Sequence, residues 1–254
     1  MDLAPWAYPL LFLTGFAAGL VDAIAGGGGV IALPVLLNLG LPVPVALGTN
    51  KLQASFGSFT AAWHYARRGL VDLRACRPGI IATLAGALMG AWVVRSIDAQ
   101  ILGKLIPWLL AAIVVYMIFR PQVGDADHPP RLGAGSFALL FGLGLGFYDG
   151  FFGPGVGSFW TIAYVLVLGF NFSKATGYTK VMNCTSNLAA LALFAAAGRI
   201  HLAAGLVMAV GQVTGSQLGA GLVVKRGARF VRPVFLTMAI LTIARLLWVN
   251  FAGK

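Results

Sequence analysis

Apolar residues run in long blocks along this chain rather than alternating with polar ones. Four blocks, at 75–94, 101–119, 203–224 and 233–251, approach the roughly 20 residues an α-helix needs to cross a hydrocarbon core. The other apolar stretches are broken by glycine, above all at Gly26 to Gly29 and at Gly153, Gly155 and Gly157 around Pro154. Read as helices separated by breaks, the pattern predicts segments at about 5–24, 30–39, 46–66, 75–95 and 101–119. A second set follows at about 133–150, 157–168, 175–196, 203–224 and 233–251. Segments 30–39 and 157–168 are too short to cross alone and are expected to be broken or partly extended. The stretch 120–131 holds Pro121, Pro129, Pro130, Asp125 and Asp127 and reads as a polar surface loop.

The two sets are copies of one unit. Gly15, Gly19, Asp22, Gly26 and Gly28 recur, at an offset of 127 and without a gap, as Gly142, Gly146, Asp149, Gly153 and Gly155. Two residues are then inserted, and Gly48-Thr49-Asn50-Lys51 meets Gly177-Tyr178-Thr179-Lys180 at an offset of 129. Gly69, Gly86 and Gly90 meet Gly198, Gly215 and Gly219 in the same register. This divides the chain into a first repeat at 1–119, a polar linker at 120–132 and a second repeat at 133–254.

Composition fixes the solvent. Of 254 residues 59% are hydrophobic and 10% charged, with no glutamate and seven aspartates, far below the roughly 25% charge of a soluble domain. The expected class is an all-α polytopic membrane protein. The first segment starts at Asp2 without the basic region and cleavage site of a signal peptide, so it is expected to be retained. The net charge of +11 does not make a nucleic-acid face, because the basic residues sit in short clusters between apolar segments. Cys76, Cys184, His64, His128 and His201 are scattered, so neither a disulfide nor a metal or other cofactor is expected.

The clusters also orient the copies. Arg67, Arg68, Arg74 and Arg77 follow the third segment of the first copy, where the second has only Arg199. After the fourth segment the bias reverses, with Arg95 and Lys104 against Lys225, Arg226, Arg229 and Arg232. Basic loops face the cytoplasm, so the copies are expected to be inverted, with both termini periplasmic and the linker cytoplasmic. Inverted repeats with interrupted helices are the build of secondary transporters, whose sites lie near the midplane.

Two motifs per copy carry candidate chemistry. The glycine runs, with Gly28 and Gly155, are expected to be unwound, with free amides near a ligand. The run lacks the Gly-Lys-Ser/Thr ending of a phosphate loop. Gly86 with Gly90, and Gly215 with Gly219, read as helix contacts through small residues. The second motif places Lys51 and Lys180 where each apolar helix opens after a turn, so that amides and ammonium groups together favour an anion. Thr49, Asn50, Gln53 and Ser55, with Tyr178, Thr179, Asn183, Ser186 and Asn187, are candidate donors. Asp22 and Asp149 either take up a proton, pair with a lysine, or cap the broken helix.

These motifs resemble the TauE/SafE sulfite exporter family of bacterial membrane proteins. The resemblance rests on Gly19-Leu-Val-Asp22-Ala-Ile-Ala-Gly-Gly-Gly-Gly, Gly48-Thr-Asn-Lys51, Gly146-Phe-Tyr-Asp149-Gly-Phe-Phe-Gly-Pro-Gly and Ala175-Thr-Gly-Tyr-Thr-Lys180. It implies export of sulfite, sulfoacetate or a related organosulfonate across the bacterial inner membrane, coupled to an ion gradient. Asn50 faces Thr179 and Gln53 faces Met182 in the repeat, so the half-sites differ. An anion channel and a carrier of another small anion such as a carboxylate remain the rival readings. An enzyme is disfavoured, since no triad, metal cluster or close carboxylate pair stands out. Lipid and a small anion are the expected partners, with a homodimer left open.

Overall fold

A computed structural model describes residues 3–102, 104, 105, 108, 109, 112, 115 and 126–226. The expected segment at 233–251, most of 101–119, the basic residues Arg229 and Arg232, and residues 120–125 of the linker lie outside the described residues. Regular structure among the described residues is α-helical throughout. The first repeat supplies α1 (Ala7–Ala25), α2 (Gly28–Asn38), α3 (Val43–Arg67) and α4 (Arg77–Ser96). The second supplies α5 (Ala134–Phe151), α6 (Val156–Leu168), α7 (Phe172–Ala196) and α8 (Leu202–Arg226). Four of these, α1, α4, α5 and α8, are long and apolar enough to cross a membrane. The short second segments are continuous helices; the breaks fall just before them.

The helices of one repeat pack on those of the other in matched pairs. α1 lies along α8 and α4 along α5, while α3 meets α8 much as α7 meets α4. Small residues make this possible. A Cβ on Gly15 or Gly19 would lie within 2.3 Å of the Met208 or Gln212 carbonyl oxygen, and one on Gly86 or Gly90 within 2.4 Å of those of Leu143 or Phe147. Lipid offers no hydrophobic driving force between helices, so close backbone approach is what holds them.

These contacts also give the directions. Gly15 meets Met208 and Gly19 meets Gln212, so α1 and α8 run parallel. α3 runs with them, since Thr49 accepts the His201 N–H at 2.9 Å and Gly57 sits on Gln212. The equivalent helices α3 and α7 run opposite ways, with Gly48 against Phe194 and Gly177 against Tyr65. The ends of α3 and α8 therefore share one side, bringing Arg67 and Arg68 to the same side as Lys225 and Arg226. Arg199 lies on the other, beside Gly48.

α1 and α3 start on the same side, and residues 39–42 between α2 and α3 are few, so α2 must return toward where α1 began. α1 and α2 form a helical hairpin, and α5 and α6 form its counterpart. Gly26 turns the first tip in a left-handed conformation (φ 72°), which L side chains rarely adopt. Gly153 (φ 96°) and Gly155 (φ 80°) turn the second. The tips meet: a Cβ on Gly26 would lie 2.4 Å from the Gly157 backbone, and the Ser158 N–H donates to the Gly26 carbonyl at 3.2 Å.

The described end of the linker is stitched to the α6–α7 loop. The His128 N–H donates to the Gly169 carbonyl at 2.7 Å, and the Asn171 N–H donates to the Asp127 carboxylate at 2.6 Å. That amide bond holds the Asp127 carboxyl below the usual carboxylate range. The Asn171 side chain in turn caps α7 by accepting the Lys174 N–H at 3.0 Å.

Candidate functional site

Each lysine is the ninth residue of its helix, Lys51 in α3 and Lys180 in α7. This differs from the expectation that the motifs open their helices. α3 starts earlier because Val43 and Pro44 suit a first turn, where a missing N–H costs nothing, and α7 starts earlier because Asn171 caps it. The amides of Gly48 to Lys51 and of Gly177 to Lys180 are therefore inside the helical ladder. The helix N-termini that do open toward the centre belong to α2 and α6. Gly28 and Gly29 from one, and Gly155 and Gly157 from the other, border a central cavity.

Both lysines pair across the repeats. Lys51 Nζ lies 2.6 Å from Asp149 Oδ1, and Lys180 Nζ lies 2.9 Å from Asp22 Oδ2. Lys51 and Lys180 are each at most 2% exposed. Taking a charge out of water costs several kcal/mol per ion, offset only when partners are close and remaining donors are satisfied. Lys51 meets that condition, since it also donates to the Asp149 carbonyl and to Asn187 Oδ1 at 3.1 Å. Ser186 donates to the other Asp149 oxygen. Asp22 accepts the Gly28 N–H at 3.4 Å, so it touches the start of α2 as well as Lys180.

The cavity between the hairpin tips has a volume of about 30 Å³, enough for a water or two. Its polar lining is Asp22, Asn50, Lys51, Asp149, Asn183 and Asn187. Among the described residues the Asn183 amide oxygen is buried there without a hydrogen-bond partner. An anion held at this point would meet two helix N-termini, one ammonium and three side-chain amides. In the described conformation the ammonium groups are already neutralised by the carboxylates.

Residues 11–246 match the family described as Sulfite exporter TauE/SafE. A Haemophilus influenzae protein named "probable membrane transporter protein" is 44% identical over 248 residues, covering 98% of this chain and 97% of its own. The Escherichia coli K12 "probable membrane transporter protein YfcA" is 39% identical over 246 residues, 97% of this chain and 91% of its own. A protein of the same description from Methanocaldococcus jannaschii is 30% identical over 158 residues, 59% of this chain and 58% of its own. No solved structure matches. The chain belongs to the TauE/SafE sulfite exporter family.

This family member is a multi-pass membrane transporter, not an enzyme. Not every residue singled out in its sequence reaches the cavity. Asn50, Lys51, Asn183, Gly28 and Gly155 border it with Asp22 and Asp149. Lys180 stands behind Asp22, fully buried. Gln53 lies behind Asn50, donating to its amide oxygen at 2.8 Å. Thr49 receives the His201 N–H, and Thr179 lies 3.2 Å from the Thr161 hydroxyl. Tyr178 is turned away from the centre, where its hydroxyl accepts the Asp72 N–H at 3.2 Å. Two residues outside the expected set also matter. Ser158 donates to the Ala25 carbonyl at 2.8 Å and ties the hairpin tips together. Thr161 stands beside Thr179. Both are small hydroxyl residues in the otherwise apolar α6, the one signal by which the sequence marks them.

Proposed function

We propose that this protein is a secondary transporter exporting a small sulfur-containing anion, sulfite or an organosulfonate such as sulfoacetate, across the bacterial inner membrane. Lys51 and Lys180 are the cationic halves of its site, and the two repeats are inverted, with both termini periplasmic. One observation carries the reading: Lys51 and two helix N-termini border a buried polar cavity between hairpins from opposite repeats, with Lys180 directly behind it on Asp22. The antiparallel course of α3 and α7 supports the inversion, and the shared side of Arg67, Arg68, Lys225 and Arg226 supports a cytoplasmic face there. The family description supports a sulfur-containing substrate.

A carrier is favoured over a channel because backbone contact between the tips, at Gly26 and Gly157, closes the path through the centre. The cavity holds a water or two but not a sulfonate, so the tips must separate for the ion to enter from either side in turn. Lys51→Ala, Lys180→Ala and Asn183→Ala are expected to abolish flux of labelled sulfite and sulfoacetate into proteoliposomes. Asn183→Ala leaves both ion pairs intact, so it separates loss of binding from loss of folding. Normal transport of both anions by all three variants would sink the site.

A further inference from the structure

We propose that this carrier takes up a proton with each anion, and that Asp22 receives it while Lys180 passes from Asp22 to the anion. The proposal rests on the anion-carrier reading above. It comes from an inequality between two pairs that the repeat makes equivalent. Lys51 spends all three N–H groups, on Asp149 Oδ1, the Asp149 carbonyl and Asn187. Asp149 is held by Ser186 as well, and both members of that pair are about 2% exposed. Among the described residues Lys180 makes one hydrogen bond, to Asp22, whose side chain is 15% exposed. Among the described residues the other Asp22 oxygen has only the long 3.4 Å contact from the Gly28 N–H. The first pair is a strut; the second is the one that can open onto the cavity.

Charge balance supplies the proton. Two lysines and two aspartates cancel in the empty site. An anion arriving alone would leave an uncompensated negative charge at membrane depth, which is costly. A proton on Asp22 restores neutrality and frees Lys180. The neutral carboxyl still accepts the Gly28 N–H and gains an O–H donor. The unpartnered Asn183 amide oxygen borders the same cavity and offers that donor an acceptor. Lys180 faces Asp22 from α7, Lys51 and Tyr65 from α3, and Asp149 from α5 across the cavity, the Tyr65 hydroxyl donating to the Ala23 carbonyl at 2.9 Å. α2 has no titratable side chain, Tyr164 of α6 is packed against Tyr178, and Lys225 and Arg226 close α8 beyond Gly219, which meets Ala23. No bond is made or broken except the O–H of Asp22, whose proton comes from the side to which the site is open.

The test uses the full chain in lipid nanodiscs, with methanesulfonate as probe because its sulfonate does not titrate near neutrality. Proton uptake is read with an indicator dye in weak buffer. The wild type should take up about one proton per anion bound, its apparent affinity falling by up to about tenfold per pH unit as the pH rises. Asp22→Asn should bind methanesulfonate more tightly, independently of pH and without proton uptake. Wild-type binding without proton uptake overturns the coupling and leaves the carrier reading standing. Proton uptake that survives in Asp22→Asn overturns the assignment to Asp22. Failure of methanesulfonate, sulfoacetate and sulfite alike to bind overturns both readings.

Discussion

Lys51 and Asp149 place two full charges in a space with almost no access to water, and each is tolerable only because of the other. Breaking such a pair from one side leaves a lone buried charge, at a cost of roughly 3–5 kcal/mol. Replacing both partners by apolar groups of similar volume removes that penalty. Lys51→Met alone should therefore lower thermal stability in detergent sharply. Lys51→Met with Asp149→Leu should recover most of it. Transport should stay absent in both, since the cavity loses its ammonium group. A double variant as unstable as the single one would show that the pair does more than balance charge. At this scale the sequence displayed the recurring Asp and Lys and offered their pairing as one of several roles, but not which lysine each aspartate meets. Asp22 and Lys180 are 158 positions apart, and the repeat suggests no reason for each to choose the other copy.

At the scale of elements, α1 against α8 and α4 against α5 are held by glycines whose missing side chains let backbones touch. A Cβ on Gly19 would lie 2.3 Å from the Gln212 carbonyl oxygen, and one on Gly215 would lie 2.1 Å from that of Phe16. Gly144 in α5 and Gly221 in α8 have nothing within 4 Å of the same position. Gly19→Ala and Gly215→Ala should each destabilise by about 1–3 kcal/mol, as overpacking does. Gly144→Ala and Gly221→Ala should instead stabilise by about 0.5–1 kcal/mol, because alanine suits a helix better. Unfolding midpoints in detergent distinguish the two sets; equal effects at all four would contradict the packing. The repeated spacing of Gly86 with Gly90 and Gly215 with Gly219 was legible as a helix contact. Which helix each would meet was not, because small residues in a helix name no partner.

For the whole molecule, helix directions put Arg74 and Lys225 on one side and Arg95 and Arg199 on the other. Single cysteines at these four positions, in a background lacking Cys76 and Cys184, should divide accordingly in intact cells. A membrane-impermeant maleimide added outside should label Arg95→Cys and Arg199→Cys but spare Arg74→Cys and Lys225→Cys. The reverse pattern would invert the proposed orientation, and labelling that splits either pair would break the antiparallel arrangement of the repeats.

The sequence by itself determined the membrane class, the duplication, the helix order and the residues that recur with charge. It could do so because lipid rewards long apolar helices, and because a repeat exposes the few polar positions kept in both copies. The tertiary structure decided the rest. It moved the free helix N-termini from α3 and α7 to α2 and α6, since helix starts depend on local caps and prolines that periodicity does not resolve. It crossed each lysine to the aspartate of the other repeat and left one pair saturated with hydrogen bonds and the other nearly bare. Burial and partnership across more than a hundred residues are properties of packing, and no window along the chain contains them.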